Sequence, residues 1–476
     1  MAQPGIFTLA NAASPIQYFQ DFGRKRINSL YGFAKIGYKD YLFVDITGRN
    51  DWSSALANAE GTNPTGFFYP SVSTAFIPSS FFQLPEAINF MKIRASYAEV
   101  GNDTGPFQTI GTFQPRVPVA GNPTFSEQQV IPNANLRPER ISSWEFGTDM
   151  RLLRNKIGID FTYFNMLTRD QIISQPIANS SGFDFQNING GAVRTFGYEV
   201  MVDYKPIRSR NLFWNINVNF TQFTNRVESL PGGSFVLDFN RVYDNVNQTV
   251  WYIVSEGGRL GDMWGTGYLR DDQGQFIVNE RGEFINDNNL RLLGNYNPDF
   301  MIGIANSINY KNFSVSALLD WRIGGQIVSR TTAFAGAGGQ LIETVNRPEE
   351  GIIVPGVVNI GTAESPNFVP NTTPIPAETF FRQFYDRNNE ENNTFSADFI
   401  RLRELSIGYD IPADFLKKRA KSAQVALIGR NLWMWSRIPH FDPEQVSFQR
   451  QSVQGGVEDM AYPTPRSMGV RLQVNF

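Results

Sequence analysis

The sequence predicts an all-β fold, a transmembrane antiparallel β-barrel, from three observations. Apolar and polar residues alternate with period two. The alternating segments are longer than soluble strands usually are. The connections between them are short and long by turns.

The alternation is clearest in LFWNINVNF at 212–220, where Leu212, Trp214, Ile216, Val218 and Phe220 share one face. Phe213, Asn215, Asn217 and Asn219 share the other. A pleated strand imposes this period and a helix cannot use it. Ile157, Ile159, Phe161 and Tyr163 repeat it, as do Met91, Ile93, Ala95 and Tyr97, and Tyr198, Val200, Val202 and Tyr204. The chain ends the same way, with Met468, Val470, Leu472, Val474 and Phe476 facing away from Gly469, Arg471, Gln473 and Asn475. Period two alone does not separate a soluble sandwich, with its apolar face on a core, from a barrel with that face in lipid. Length does: 143–152, 156–167, 212–223 and 300–310 reach the roughly 9–11 residues of a spanning strand, against about 5–6 for a soluble one.

Short connections fall at 39–40, 153–155, 205–211 and 311–312; long polar or Gly/Pro-rich ones fall near 50–66, 102–141, 169–194, 330–393 and 438–466. Outer-membrane barrels have short periplasmic turns and long outer loops. With the short turns placed inside, the first clear strand (28–38) runs inward, the alternation holds to residue 225, and the last strand (467–476) also runs inward. Parity then requires zero or two strands between 226 and 299, and 248–254 with 261–268 supply two. The count is about fifteen, an odd number where single-chain bacterial barrels have an even one. The expectation is that the barrel's beginning is missing, with 1–27 an outer-loop remnant and 28–476 the C-terminal part of the barrel. Residues 1–13, MAQPGIFTLANAA, have neither the basic nor the apolar region of a secretory signal.

Composition removes other classes. With 42 basic and 45 acidic residues the formal charge is −3, without the basic excess of a nucleic-acid binder. There is no cysteine and one histidine, His440, so disulfide scaffolds, thiol chemistry and His-cluster metal sites are out. No run approaches the ~18 apolar residues of a membrane helix. Hydrophobic content of 41% argues against disorder. Three other readings compete: a soluble all-β binding or adhesion protein, a passive porin, and a β-rich glycosidase, for which no carboxylate pair stands out.

Individual residues carry little chemistry. His440 in PHFDPE, beside Asp442 and Glu444, reads as a solvated loop histidine rather than a metal ligand. Asp271, Asp272 and Asp287 lack EF-hand spacing, and GGRLG at 257–261 lacks the ending of a phosphate loop. Tyr38, Tyr41, Trp144, Trp214, Trp321, Trp433 and Trp435, at strand ends, fit interfacial girdles. Trp251, Trp264, Tyr268, Phe380, Phe381 and Tyr385 lie in loops and are the candidate substrate contacts. ADFLKKRA at 413–420 reads as a short amphipathic helix. No catalytic, metal or cofactor residues are expected.

Several motifs resemble those of the SusC/RagA-type TonB-dependent transporters. They are RNDWSSAL (49–56), FFYPSVSTAF (67–76), NLRPERISSWEFGTDM (135–150), NPDFMIGIANSINYKNFSVSALLDWRIGG (297–325), SADFIRLRELSIGY (396–409), AQVALIGRNLWMW (423–435) and HFDPE (440–444). The resemblance runs from about 31 to 476, and Phe476 is similar to the C-terminal aromatic of outer-membrane barrels. It implies a 22-stranded barrel of which this chain supplies about strands 8 to 22, or about two thirds of the wall, with the plug domain, TonB box and first strands absent from it. It further implies active import of oligosaccharides or oligopeptides across the outer membrane of a Gram-negative bacterium. The implied partners are a SusD-like lipoprotein lid, the N-terminal plug and barrel portion of the same transporter, TonB acting through that portion, and outer-membrane lipid. The segment 330–393 is expected to contribute to the lid-binding surface.

Overall fold

The computed structural model describes residues 23–119, 122–236, 250–362, 364–416, 420–445 and 455–476. Thirteen strands form one continuous antiparallel wall in strict chain order: β1 (Ile27–Tyr38), β2 (Leu42–Ser53), β3 (Gly66–Phe76), β4 (Ile88–Asn102), β5 (Glu139–Leu152), β6 (Ile157–Arg169), β7 (Ala192–Arg208), β8 (Leu212–Ser229), β9 (Phe300–Tyr310), β10 (Phe313–Ile323), β11 (Phe399–Ile411), β12 (Ser422–Ser436) and β13 (Ser467–Asn475). They run from 9 to 18 residues, so each reaches the roughly 9–11 residues a tilted strand needs to cross a bilayer. The turn joining β1 to β2 places Lys39 and Asp40 at φ 47° and 53°, a left-handed pair whose twist matches that of the flanking strands.

Directly paired residues share a face, so the register shows which side chains line up. One row runs Tyr38, Leu42, Phe76, Ile93, Thr148, Phe161, Val200, Phe220, Ile302, Trp321, Ile400 and Trp435 across twelve strands, with Thr148 its one polar member. It begins at the short-turn end of β1 and finishes at the long-loop end of β12, the climb that tilted barrel strands require. A second row links Trp214, Ile308, Val315, Ile407, Leu427 and Val470. One position away, on the opposite face, lie Lys92, Asp149, Asp160, Met201, Asn219, Gly303, Asp320, Arg401 and Met434. A shallow polar recess of about 340 Å³ opens on that face among Asp149, Asp160, Asp203, Asn217 and Asn219.

The apolar face is open: Leu427 is 60% and Val470 71% exposed. The buried apolar clusters lie instead in and around the long loops. A soluble sandwich would show the reverse, with strand rows buried against a second layer. Among the described residues no helix is long and apolar enough to cross a membrane.

Two local arrangements keep the faces clean. Arg94 Nη1 bonds Asp160 Oδ2 at 2.9 Å and Nη2 bonds Thr162 Oγ1 at 2.7 Å, crossing β5 at Gly147. A Cβ there would sit 2.5 Å from Arg94 Nε. On the apolar face, the indole of Trp214 donates to Asn306 Oδ1 at 3.0 Å. Trp214→Phe is therefore expected to cost about 1–3 kcal/mol by orphaning that amide oxygen in an apolar setting. Comparing urea midpoints of refolding into lipid vesicles checks this; an unchanged midpoint refutes it.

The strand count is corrected. Residues 251–255 and 262–268 pair with each other but belong to a separate four-stranded loop sheet with Ser234–Val236 and Asn286–Asn295. The wall thus has thirteen strands among the described residues, not about fifteen. The cause is length: Trp251–Ser255 and Asp262–Tyr268 have 5 and 7 residues, alternating like wall strands but too short to span. Strands β1 and β13 do not pair with each other, and every residue of both is exposed. Helix Ala413–Leu416 occupies the start of the expected 413–420 helix, and 417–419 lie outside the described residues.

Candidate functional site

The long loops fold into a crown at one end of the wall. Its centre brings together Tyr268, Val278, Phe284, Val354 and Ile375 in one buried cluster, with Ala377, Phe381 and Tyr385 in a second. Phe380 and Phe384 pack against both, in the helix Ala377–Phe384.

This packing decides what the six candidate aromatics are free to do. Tyr268 is 1% exposed, its hydroxyl donating to the Gln383 carbonyl. Phe381 and Tyr385 are buried, and Phe380 stacks on Phe384 at 5.7 Å. The ring faces of these four meet protein. Residues 377, 380, 381, 384 and 385 repeat at helical spacing, the signal from which a core-facing helix was readable. Trp251 and Trp264 differ: they face each other across paired strands, both are half-buried, and the Trp264 indole N–H is buried without a partner.

The strongest electrostatic feature was not anticipated as a site. Arg401, 2% exposed, projects from β11 beside a bulge between Leu402 and Glu404. Its Nη2 pairs with Asp442 Oδ1, and its Nη1 lies 2.8 Å from Glu444 Oε2. Arg403 grips Glu444 with both Nη atoms and reaches Asp320 Oδ2 through Nε at 2.5 Å. Burial works to raise the Asp442 carboxyl, but hydrogen bonds from Thr464 and the Glu444 amide, with Arg401 beside it, hold it below the ordinary range. The RLRE and FDPE motifs are thus one physical unit, a charged clamp tying the loop after β12 to the wall. His440 is not part of it: its side chain is 12% exposed, 3.6 Å from Glu343 Oε1, and packs edge-on against Phe395. The solvated histidine expected from sequence is a packed one.

A second buried acid, Glu390, is 2% exposed. Burial pushes its carboxyl up to about 8, against hydrogen bonds from the Thr266 amide and hydroxyl. Gly265 makes room for it; a Cβ there would lie 2.8 Å from Glu390 Oε2.

Residues 3–432 match the family described as TonB dependent receptor-like, beta-barrel. TonB-dependent receptor P3 of Formosa agariphila is 25% identical over 482 residues, covering 94% of this chain and 45% of that protein. TonB-dependent receptor SusC of Bacteroides thetaiotaomicron is 23% identical over 309 residues, covering 60% of this chain and 30% of its own. Among solved structures the RagAB peptide transporter superposes with a TM-score of 0.72 at 18% identity, covering all of this chain and 50% of the other. That likeness speaks to the fold. The chain spans about half the length of the F. agariphila relative and of the RagAB chain. The thirteen-stranded wall with one open apolar face, and a family match over most of its length, place this chain in the TonB-dependent receptor-like β-barrel family.

Proposed function

We propose that this chain forms wall and outer crown of a TonB-dependent importer of oligosaccharides or oligopeptides in a Gram-negative outer membrane. One observation carries the reading: apolar rows stay open across twelve strands while the opposite face is polar, as expected of a partition between hydrocarbon and water. The edges of β1 and β13, unpaired among the described residues, support a wall that further strands complete, about nine if the barrel has 22. The plug that fills the lumen and couples to TonB belongs to that complementary portion. The crown, with 330–393 packed into it, offers the surface for a SusD-like lipoprotein lid. Trp251 and Trp264 are the substrate contacts this crown leaves available. No bond is made or broken; the work is capture and gated passage.

The test is uptake by cells carrying the complete transporter, using panels of labelled oligosaccharides and oligopeptides, with and without an uncoupler of the proton gradient. Uptake of one panel that stops on uncoupling is expected, and Trp264→Ala should lower it about tenfold, the upper end for one lost aromatic contact of about 1.5 kcal/mol. Uptake that continues on uncoupling would establish a passive porin. Recovery of the chain in the aqueous fraction after carbonate washing would establish the soluble reading.

A further inference from the structure

The segment 386–393, Asp-Arg-Asn-Asn-Glu-Glu-Asn-Asn, packs between the loop strand Asp262–Tyr268 and the helix Arg330–Ala337. Two consecutive turns shape it: the Asn389 amide donates to the Asp386 carbonyl at 3.0 Å, and the Asn393 amide to the Glu390 carbonyl at 3.0 Å. Turns of this tightness bring residues i and i+3 to the same side. Asn393 Nδ2 then reaches back to the carbonyls of Asp386 (3.2 Å) and Asn389 (3.1 Å), drawing both turns into one knot. Glu391 fastens the knot from outside, its carboxylate 3.1 Å from Arg291 and 3.3 Å from Arg270.

The interior of this knot holds three side-chain oxygens and one amide nitrogen without a hydrogen-bond partner among the described residues. Asn389, Glu390 and Asn393 are 1–2% exposed. Glu390 Oε1, Asn389 Oδ1, Asn389 Nδ2 and Asn393 Oδ1 are all buried without a hydrogen bond. They are four of the twelve such side-chain atoms among the described residues, and they fall within five consecutive positions. Leaving a buried polar atom unpaired is costly, so this concentration points to a ligand that satisfies several of the oxygens at once. Among the described residues no three His, Cys, Asp or Glu side chains gather at one point. The donors here are instead the Glu390 carboxyl and the carboxamide oxygens of Asn389 and Asn393, with the half-buried Asp386 carboxyl, which accepts from the Asn388 amide, at the head of the first turn. All are hard oxygen donors, with no nitrogen or sulfur ligand of the kind zinc takes. Mixed carboxyl and carboxamide oxygens on an irregular backbone suit calcium, which accepts flexible geometry, better than magnesium, which demands an octahedron and keeps its waters.

We propose that the 386–393 knot binds one calcium ion through Asp386, Asn389, Glu390 and Asn393, and that this ion braces the two loop segments of the crown, 250–295 and 326–396, against each other. The import reading is not needed for the site; it bears only on the expected affinity, in the ~0.1–1 mM range of extracellular modules.

The experiment uses the complete transporter containing this chain, purified in detergent, freed of metal with a chelator, and given calcium chloride, magnesium chloride or neither. Equilibrium dialysis against radiolabelled calcium reads binding, and limited proteolysis reads protection within 250–396. The expected result is one calcium per chain removed by Glu390→Gln, with calcium slowing crown cleavage about tenfold at ten times the dissociation constant in the parent and not in Glu390→Gln. Asn389→Ala should show the same loss, and cleavage of wall turns, unchanged by either variant, reports that each has folded. The proposal is overturned if magnesium protects equally, if Glu390→Gln retains the calcium effect, or if the parent shows no ion dependence, in which case the orphaned oxygens hold water only.

Discussion

Arg401→Met is expected to destabilise the protein by about 3–5 kcal/mol, the cost of removing one partner from a buried ion pair. Arg401 is 2% exposed and faces Asp442, which is 6% exposed, beneath the loop that follows β12. Without the guanidinium, the Asp442 carboxylate keeps its bonds from the Glu444 and Thr464 amides, at 3.1 and 3.2 Å, but loses its counter-charge in a place water does not reach. The loop should detach, exposing 437–445 to protease. Arg403→Met is the internal control. Its side chain is 27% exposed, so the Glu444 it abandons is resolvated and the cost falls to about 1 kcal/mol. The double change Arg401→Met with Asp442→Leu should recover most of the loss, since apolar replacement of a whole buried pair is often neutral. Urea midpoints of the parent, Arg401→Met, Asp442→Leu and their double variant in lipid vesicles give the cycle, with Arg403→Met measured beside them. Equal costs for Arg401→Met and Arg403→Met, or a double variant worse than either single one, would show that the clamp is not a buried pair.

How much of this was legible in sequence follows from the range of the interactions. The wall was legible because period two is written residue by residue: β5, β6, β8 and β9 lie where 143–152, 156–167, 212–223 and 300–310 placed them, and each face carries the expected side chains. The crown was not, because its strands pair over long separations and share the wall's local pattern. Nothing local distinguishes DMWGTGY as a loop strand except its brevity, and brevity was outweighed by parity. The burial of the aromatic candidates has a readable reason in part: FFRQFY carries helical spacing that buries Phe381 and Tyr385. Tyr268, in contrast, is buried by Phe284 and Val354, which lie 16 and 86 positions further on, beyond any local rule. The clamp stands between these cases. Both of its motifs, RLRE and FDPE, were visible, but the 41-residue separation of Arg401 from Asp442 hid that they touch. The bulge that lets Arg401 and Arg403 serve adjacent carboxylates has no sequence signature at all.

Ile216→Arg is expected to cost roughly 2–4 kcal/mol of stability in lipid vesicles, and Asn217→Arg far less. The two neighbours differ only in face. Ile216 pairs with Tyr204 and Asn306 on the side of the open apolar rows; Asn217 pairs with Asp203 and Ala305 and lines the polar recess. They lie near the middle of the β8 stretch between its turn at Asn211 and the crown, where a bilayer is driest. An arginine at 216 has hydrocarbon on one side and a packed strand on the other, and can only snorkel at the expense of thinning the membrane. At 217 the same charge meets water and gains Asp203 as a neighbour. In detergent micelles, which deform around a charge, the difference should shrink; in bilayers of increasing thickness it should grow. A soluble sandwich makes the opposite prediction in kind, since an arginine at 216 would then be equally harmful with or without lipid. Equal costs at 216 and 217 in vesicles would mean that neither face meets hydrocarbon, and the membrane wall would have to be abandoned together with the importer built on it.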